Sequence, residues 1–240
     1  MPKNKIMEES NRFLQLYDLS DARFYYRPHS YDRFMIDEVW LNDEYGLDNC
    51  TVMSNAGIID VGAHIGAFSV KASKLFPDNF IWAFEPAIDN FNLLKNNLIL
   101  NNCTNVQVYQ KAVTNKENKA DLFIDNNHTG GHSLLPDFHD NKNKVEIDTI
   151  SINTFVKENA VDFIGYLKID CEGSEYQILD SLSPGVWKKI YYLGVEFHPV
   201  KGYDAITTIT AIQQRGFRLI RQKEGYFPGQ YTAIFEQIHG

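Results

Sequence analysis

Hydrophobic and polar positions along the chain fall into two textures that meet near residue 50. Before it, Met7 to Leu19 puts Phe13, Leu14, Leu16 and Tyr17 on one side, which predicts an amphipathic helix. Phe24 to Trp40 mixes aromatic and charged residues in short strand-like pieces broken at Arg27-Pro28. Residues 1–50 are therefore expected to form an N-terminal cap, packed on a main domain spanning 51–240. From Gly57 the pattern becomes regular. GIIDV (57–61) reads as a buried strand, and Ile65, Phe68, Ala72 and Leu75 recur at helical spacing. FIWAF (80–84) is a second strand, Ile88, Phe91, Leu94 and Leu98 mark a second helix, and Val106 to Tyr109 gives a third strand. Strand and helix alternating at this pace predict an α/β fold with a parallel sheet covered by helices on both faces.

Asn115 to Lys144 interrupts the rhythm as a polar loop excursion with a short strand at Asp121–Ile124. The alternation then resumes: strand 145–150, helix 152–158, strand 163–169, and a helix announced by the capping-box spacing of Ser174 and Gln177, with Pro184-Gly185 as its stop. A strand at 190–197 and a helix at 204–215 follow. Phe217–Gln222 and Tyr231–Gln237 have no helix between them, so they should pair as an antiparallel hairpin at the sheet edge.

Charge narrows the partners. A formal charge of -8, with Lys and Arg scattered, gives no basic stripe for a phosphate backbone, so no nucleic acid is expected. No apolar run reaches the length of a membrane span, and the polar start with Glu8 and Glu9 is unlike a secretory signal. The three cysteines form no CxxC pair and read as reduced thiols. The sequons at Asn49, Asn102 and Asn127 are read as chance, and the expected location is cytoplasmic. The oligomeric state stays open.

The strongest chemical signal is GIIDVGAHIGAFS (57–69), a strand running through Gly62 and Gly66 into a helix. Glycines there let the backbone approach a ligand, and a helix N-terminus offers N–H groups. The spacing is G-x-x-x-G and lacks the dinucleotide G-x-G-x-x-G. Asp60, two residues before Gly62, would repel a pyrophosphate and suits an ammonium group. Glu85 ends the next strand, where a carboxylate bonds the two ribose hydroxyls of an adenosine cofactor. An ammonium at one end and a ribose at the other describe S-adenosylmethionine better than NAD.

IIDVGAHIGAFS, then AFEP, then LKIDCEGSEYQIL, in that order, resemble the FkbM-type methyltransferases of the class I S-adenosylmethionine-dependent fold. The resemblance runs from about Tyr45 to about Glu196, with KAV (111–113) and HSLL (132–135) fitting more loosely. It implies a Rossmann-like sandwich with a mostly parallel seven-stranded sheet and the antiparallel C-terminal hairpin. His64 departs from the family's usual Asn, keeping a hydrogen-bonding side chain in the cofactor loop. The resemblance also implies O-methylation of a hydroxyl on a sugar, glycan or polyketide-like metabolite. Two rivals stay in view: a nicotinamide-dependent oxidoreductase and a non-catalytic binding module on the same fold.

In such a fold Asp170 ends a strand beside the first, at the switch point where ligands bind. Asp170 and Glu172 are then expected at the reaction centre, Asp170 also beside the cofactor, while Glu175 reads as structural in the first turn of a helix. Glu196 and His198 end the next strand and face the same mouth, with His198 an alternative base. His132, Ser133 and Glu196 are candidate acceptor contacts. The His and Asp residues of the excursion (Asp125, His128, His132, Asp137, His139, Asp140) read as a lid over the cleft, and no metal is expected because Gly130-Gly131 disfavours a ligating helix there.

Overall fold

The computed structural model describes residues 14–125, 128–136 and 143–238. The chain opens with a hairpin, β1 (Gln15–Asp18) against β2 (Arg23–Tyr26), followed by helix α1 (Asp32–Trp40). The expected helix over Met7–Leu19 is therefore corrected at Gln15–Asp18, and its first half lies outside the described residues. Pairing with β2 overrides the local periodicity, and Asn97 and Asn101 hold the backbone of Tyr25 and Arg23. The strand-like reading of Phe24–Trp40 holds only for β2. Asp32, Ile36 and Val39 are buried at helical spacing, and the charge at the first of these positions hides the apolar stripe.

Next come β3 (Gly57–Val61), α2 (Ala67–Leu75), β4 (Ile81–Phe84), α3 (Ile88–Leu100) and β5 (Val106–Tyr109). The excursion carries β6 (Ala112–Thr114), β7 (Lys119–Phe123) and β8 (Lys144–Ser151), which form their own three-stranded sheet in the order β6-β8-β7. Then follow α4 (Ile152–Glu158), β9 (Ile164–Ile169), α5 (Glu175–Ser181), α6 (Pro184–Trp187), β10 (Ile190–Phe197), α7 (Ala205–Gln214), β11 (Phe217–Glu224) and β12 (Tyr231–Gln237). Two local expectations change. Ser174 precedes α5 but makes no side-chain cap bond, and Pro184 opens a short helix capped by Ser183 instead of only ending one.

The main sheet runs β11-β12-β10-β9-β3-β4-β5, parallel except at β12, which pairs antiparallel with both neighbours. β3 and β9 are buried at every residue, as the strands of a sheet covered on both faces must be. Ile59, Val61, Leu167 and Ile169 point into one apolar cluster with α4, α5 and α7. Ile58 and Tyr166 point into the other, where Phe68, Leu94, Phe24 and Ile36 pack. Asp60 and Lys168 lie directly opposite each other on this second face. No helix among the described residues is long and apolar enough to cross a membrane.

Candidate functional site

The carboxyl ends of β3 and β9 meet where the strand order reverses, and the chain crosses itself there. Gly62 has φ +76, and a Cβ on it would sit 1.6 Å from the carbonyl oxygen of Asp170. Only glycine lets the loop after β3 pass so close to the end of β9. The N–H groups of Gly62 and Ala63 donate to Phe84 O, and that of His64 to Glu85 Oε2 at 2.9 Å. The loop amides are thus used within the protein, a different arrangement from a phosphate cradle.

Two adjoining recesses share Gly62, His64, Asp170 and Glu172. The smaller has Glu85 with Phe84, Val113 and Leu122 on its walls. Glu85 Oε1 also accepts the Ala87 N–H at 2.9 Å and the Asn90 amide at 3.4 Å, which leaves a lone pair on Oε2 for a hydroxyl donor. Burial raises the Glu85 carboxyl. A carboxylate beside apolar walls fits an adenosine, as the sequence suggests. The larger recess is a cavity of about 710 Å³ under Tyr31, Phe34, Tyr226 and Phe227, with Asp170, Glu172, Glu196 and His198 at its floor.

Asp60 is placed differently from the expectation. It is fully buried, accepts a hydrogen bond from Ser69 Oγ at 2.6 Å, lies 3.2 Å from Lys168 Nζ, and is on the wall of neither recess. Its expected contact with a ligand ammonium is replaced by an internal ion pair, because its side chain leaves β3 toward Lys168. Lys168 Nζ also donates to Gly62 O at 2.6 Å and sits 3.5 Å from Asp170 Oδ2. Burial alone would lower the Lys168 ammonium, but Asp60 and Asp170 outweigh it and raise it.

His64 holds φ +50, with Nε2 3.2 Å from Asp32 Oδ1. Asp32 is clamped by the Arg27 guanidinium and receives the Thr129 hydroxyl. Burial would raise the Asp32 carboxyl, yet His64 and Arg27 overcome it and hold it well below the usual carboxylate range. Arg27 continues to Asn90 Oδ1, whose amide donates to Thr129 O. The N-terminal segment, the cofactor loop and the excursion are thus tied beside one wall.

Of the excursion residues, His132 lines the smaller recess and His128 the larger, the latter stacked on Tyr31 at 4.2 Å. His132 Nδ1 accepts the Asp125 N–H, and burial lowers its imidazole to about 4, so it is neutral. Ser133 is corrected as an acceptor contact: it is buried, lines neither recess, and donates to the backbone oxygen of Glu172. That bond supports Glu172 at φ +54. Asp137, His139 and Asp140 lie outside the described residues.

The floor brings together the other expected residues. Oxygens of Asp170 and Glu196 and a ring nitrogen of His198 lie within 4.8 Å of one another. The Tyr45 hydroxyl donates to Asp170 Oδ2 at 2.8 Å and Glu196 Oε2 at 3.2 Å, and Gln230 donates to Glu196 Oε1. His198 Nε2 is 3.4 Å from Glu172 Oε2. Burial raises Glu172 to about 8, and burial with the Asp170 charge raises Glu196 to about 7. Burial would lower His198, but Glu172 and Glu175 raise it well above its ordinary value. At neutral pH the ring therefore carries a proton, so its use as a base needs the alkaline side of its titration.

These shifts set a pH dependence of stability. A carboxyl with a raised folded pKa binds more protons folded than unfolded, so stability falls as pH rises from its ordinary value through the raised one. A raised imidazole contributes stability that is full below its unfolded value and lost through its higher folded one. Glu172 and Glu196 act in this direction between the ordinary carboxylate range and about pH 8, and His198 joins them above the ordinary imidazole value. His132, lowered to about 4, opposes them only below that ordinary imidazole value. The melting temperature of the ligand-free protein is expected to fall by several degrees between mildly acidic and mildly alkaline buffer. A flat or rising profile in differential scanning calorimetry contradicts this.

Sequence reasoning missed Lys168, Tyr45, Arg27 and Asp32. A lysine inside the apolar run YLKI was a usable signal, since a buried cation needs a carboxylate across the sheet. Tyr45, Arg27 and Asp32 reach the site over long separations and left no local mark.

Comparison with known proteins bears on the family and the fold. The family model described as "Methyltransferase FkbM domain" matches residues 60–219. "Methyltransferase 1" of Beauveria bassiana is 25% identical over 79% of this chain and 84% of its own length. "31-O-demethyl-FK506 methyltransferase FkbM" of Streptomyces tacrolimicus is 24% identical over 82% of this chain and 86% of its own. Among solved structures, an rRNA methylase from Streptococcus thermophilus superposes with a TM-score of 0.53 at 6% identity, covering 84% of this chain and 96% of that one. M. jannaschii TYW2 in complex with S-adenosylmethionine superposes with a TM-score of 0.50 at 14% identity, covering 94% and 87%. At such identities the likeness is one of fold, and the bound S-adenosylmethionine agrees with the cofactor read from the sequence. Because the family model spans residues 60–219, well over half of the chain, the protein belongs to the FkbM methyltransferase family.

Proposed function

We propose that this chain is an S-adenosylmethionine-dependent O-methyltransferase acting on a hydroxyl of a bulky small molecule, of the sugar or polyketide-like class. The observation that carries the reading is the cavity of about 710 Å³, which adjoins the Gly62–His64 loop and joins an aromatic mouth to a floor of carboxylates and an imidazole. Aromatic walls suit the face of a ring or macrocycle, and a polar floor suits a hydroxyl that must lose its proton. The Streptomyces tacrolimicus relative, a 31-O-demethyl-FK506 methyltransferase, supports the same class.

When bound, the cofactor would supply an electrophilic methyl on a sulfonium. Glu85 would hold the ribose hydroxyls, while Gly62, His64 and Gly66 would shape the loop around the nucleoside and Asp170 would lie beside it. The chain's main task is then to align the acceptor oxygen with the methyl, which the mouth aromatics and Tyr45 do by enclosing it. Asp170, Glu172 and His198 would receive the proton.

Thermal-shift titrations with S-adenosylmethionine, S-adenosylhomocysteine and NAD test the cofactor. Ligand at about 100 times its dissociation constant adds about 2.7 kcal/mol of stability. Both sulfur nucleosides are expected to stabilise the protein and NAD is not. Glu85→Ala should weaken S-adenosylmethionine by roughly tenfold to a hundredfold, the scale of losing hydrogen bonds to a charged group. Transfer of labelled methyl to a panel of hydroxylated sugars and macrolides then tests the acceptor class. A response to NAD alone, or an unaltered affinity in Glu85→Ala, overturns the reading.

A further inference from the structure

Glu175 is buried more completely than any exposed role requires, and its carboxylate is spoken for on every side. Oε1 accepts the N–H of Cys171 and of Gly173, each at 3.0 Å, and Oε2 accepts Gly173 N–H at 3.0 Å. The same Oε1 lies 2.9 Å from His198 Nδ1. The amides come from the loop between β9 and α5, whereas His198 follows β10. Glu175 therefore links the ends of two neighbouring strands and cannot swing. The opposite edge of the imidazole, Nε2, faces the large cavity, where Glu172 and Glu196 stand 3.4 and 3.9 Å away.

We propose that Glu175 is a positioning residue that fixes the deprotonated His198 as its Nδ1–H tautomer, with Nε2 turned to the cavity as the proton acceptor for the substrate hydroxyl. The inference rests on the methyltransferase reading and deepens it by dividing the work at the floor. A fixed carboxylate accepting from Nδ1–H leaves the lone pair on Nε2, the nitrogen that can reach a ligand. In the transfer, the acceptor O–H bond breaks, its proton goes to Nε2 and its electron pair stays on oxygen. That oxygen forms the new bond to the methyl carbon, while the methyl–sulfur pair departs with sulfur, leaving a neutral thioether. The Glu175 charge stabilises the imidazolium formed, a generalisation of the nucleophile–base–orienter arrangement.

Among the described residues, the charged groups facing the ring include Glu172 from the β9–α5 connection, Glu175 at the start of α5, Glu196 from β10, and Asp170 at the end of β9. All are acidic, so the base form appears on the alkaline side. Removing the charge of Glu175 should lower the titration midpoint of His198 even where the fold is intact. A carboxylate 2.9 Å away moves that midpoint whatever its role, so the tautomer of the neutral ring is the readout that a merely structural Glu175 would not fix.

The test needs no acceptor. Protein labelled with nitrogen-15 in its seven histidines is titrated by long-range proton–nitrogen correlation spectra, with His198→Asn assigning the resonance. The expected result is a His198 midpoint above the ordinary imidazole value, a neutral ring protonated at Nδ1, and a lower midpoint in Glu175→Gln. A neutral ring protonated at Nε2, or a midpoint unmoved in a folded Glu175→Gln, overturns the proposal. Should Glu175→Gln fail to fold, the tautomer in the unaltered protein decides alone. Calorimetric binding of S-adenosylmethionine to the same samples separates the failures: lost binding removes the methyltransferase reading, whereas intact binding with the wrong tautomer removes only the role of Glu175.

Discussion

Replacing Lys168 with Met is expected to cost about 3–5 kcal/mol of stability, the scale of leaving one member of a buried ion pair behind. Lys168 is only 3% exposed and faces Asp60, which is wholly buried, across the β9–β3 pairing. Methionine fills much of the same space, so lost volume is a small part of the effect. The larger part is electrostatic: Asp60 keeps Ser69 as a donor but loses its cation. Removing both charges, as in Asp60→Asn/Lys168→Met, should recover a substantial share of the loss, because Asp60 is then no longer an uncompensated charge and only Asp170 is left without the ammonium. Chemical denaturation of both variants measures these differences. If single and double variants are equally destabilised, the ion pair is not what the fold depends on.

That pair also marks how far the sequence alone could be read. The sheet was legible because strands buried on both faces, such as GIIDV and YLKI, are nearly continuous apolar runs, and because the final hairpin lacks an intervening helix. That Glu85, Gly62, His64 and Asp170 line one recess was legible because they stand at strand ends, and strand ends in a doubly wound fold border its cleft. Asp60 was assigned outward because its place in the strand is visible in sequence, whereas the side-chain partner across β9 is not. Tyr45, Arg27 and Asp32 were illegible for a related reason. They come from the segment before residue 50, and its hairpin and helix take their positions from Asn97, Asn101 and the loop at His64. The buried face of α1 begins with Asp32, so apolar periodicity underestimates a helix whose inward side is partly charged. The role of Glu175 lay between the two cases: its structural bonds follow from its place in the first turn, but its contact with His198 needs β10 beside β9.

Gly62→Ala should be the most damaging substitution in the cofactor loop, and three other glycines show why. A methyl group at residue 62 would meet the backbone oxygen of Asp170 at 1.6 Å, and backbone cannot yield as a side chain can. Gly66 also has positive φ, at +95, but its nearest obstacle is Leu94 Cδ1 at 2.7 Å, the end of a flexible side chain. Gly202 and Gly216, at φ +91 and +92, have nothing within 4 Å of the added carbon. Alanine at the latter two therefore reports the conformational cost alone, about 1–2 kcal/mol for an L-residue in the left-handed region. Alanine at 66 adds a rotamer adjustment. Alanine at 62 must push the loop away from β9, which also pulls Gly62 O off Lys168 and moves His64 N–H from Glu85. The expected order of melting temperatures is Gly202→Ala and Gly216→Ala above Gly66→Ala, with Gly62→Ala lowest. S-adenosylmethionine affinity should fall more than a hundredfold only at 62, a loss of about 2.7 kcal/mol. Should Gly62→Ala melt with Gly202→Ala and keep its affinity, the loop has room to retreat. The close crossing of β3 and β9 would then be a consequence of the packing and not a requirement of the site.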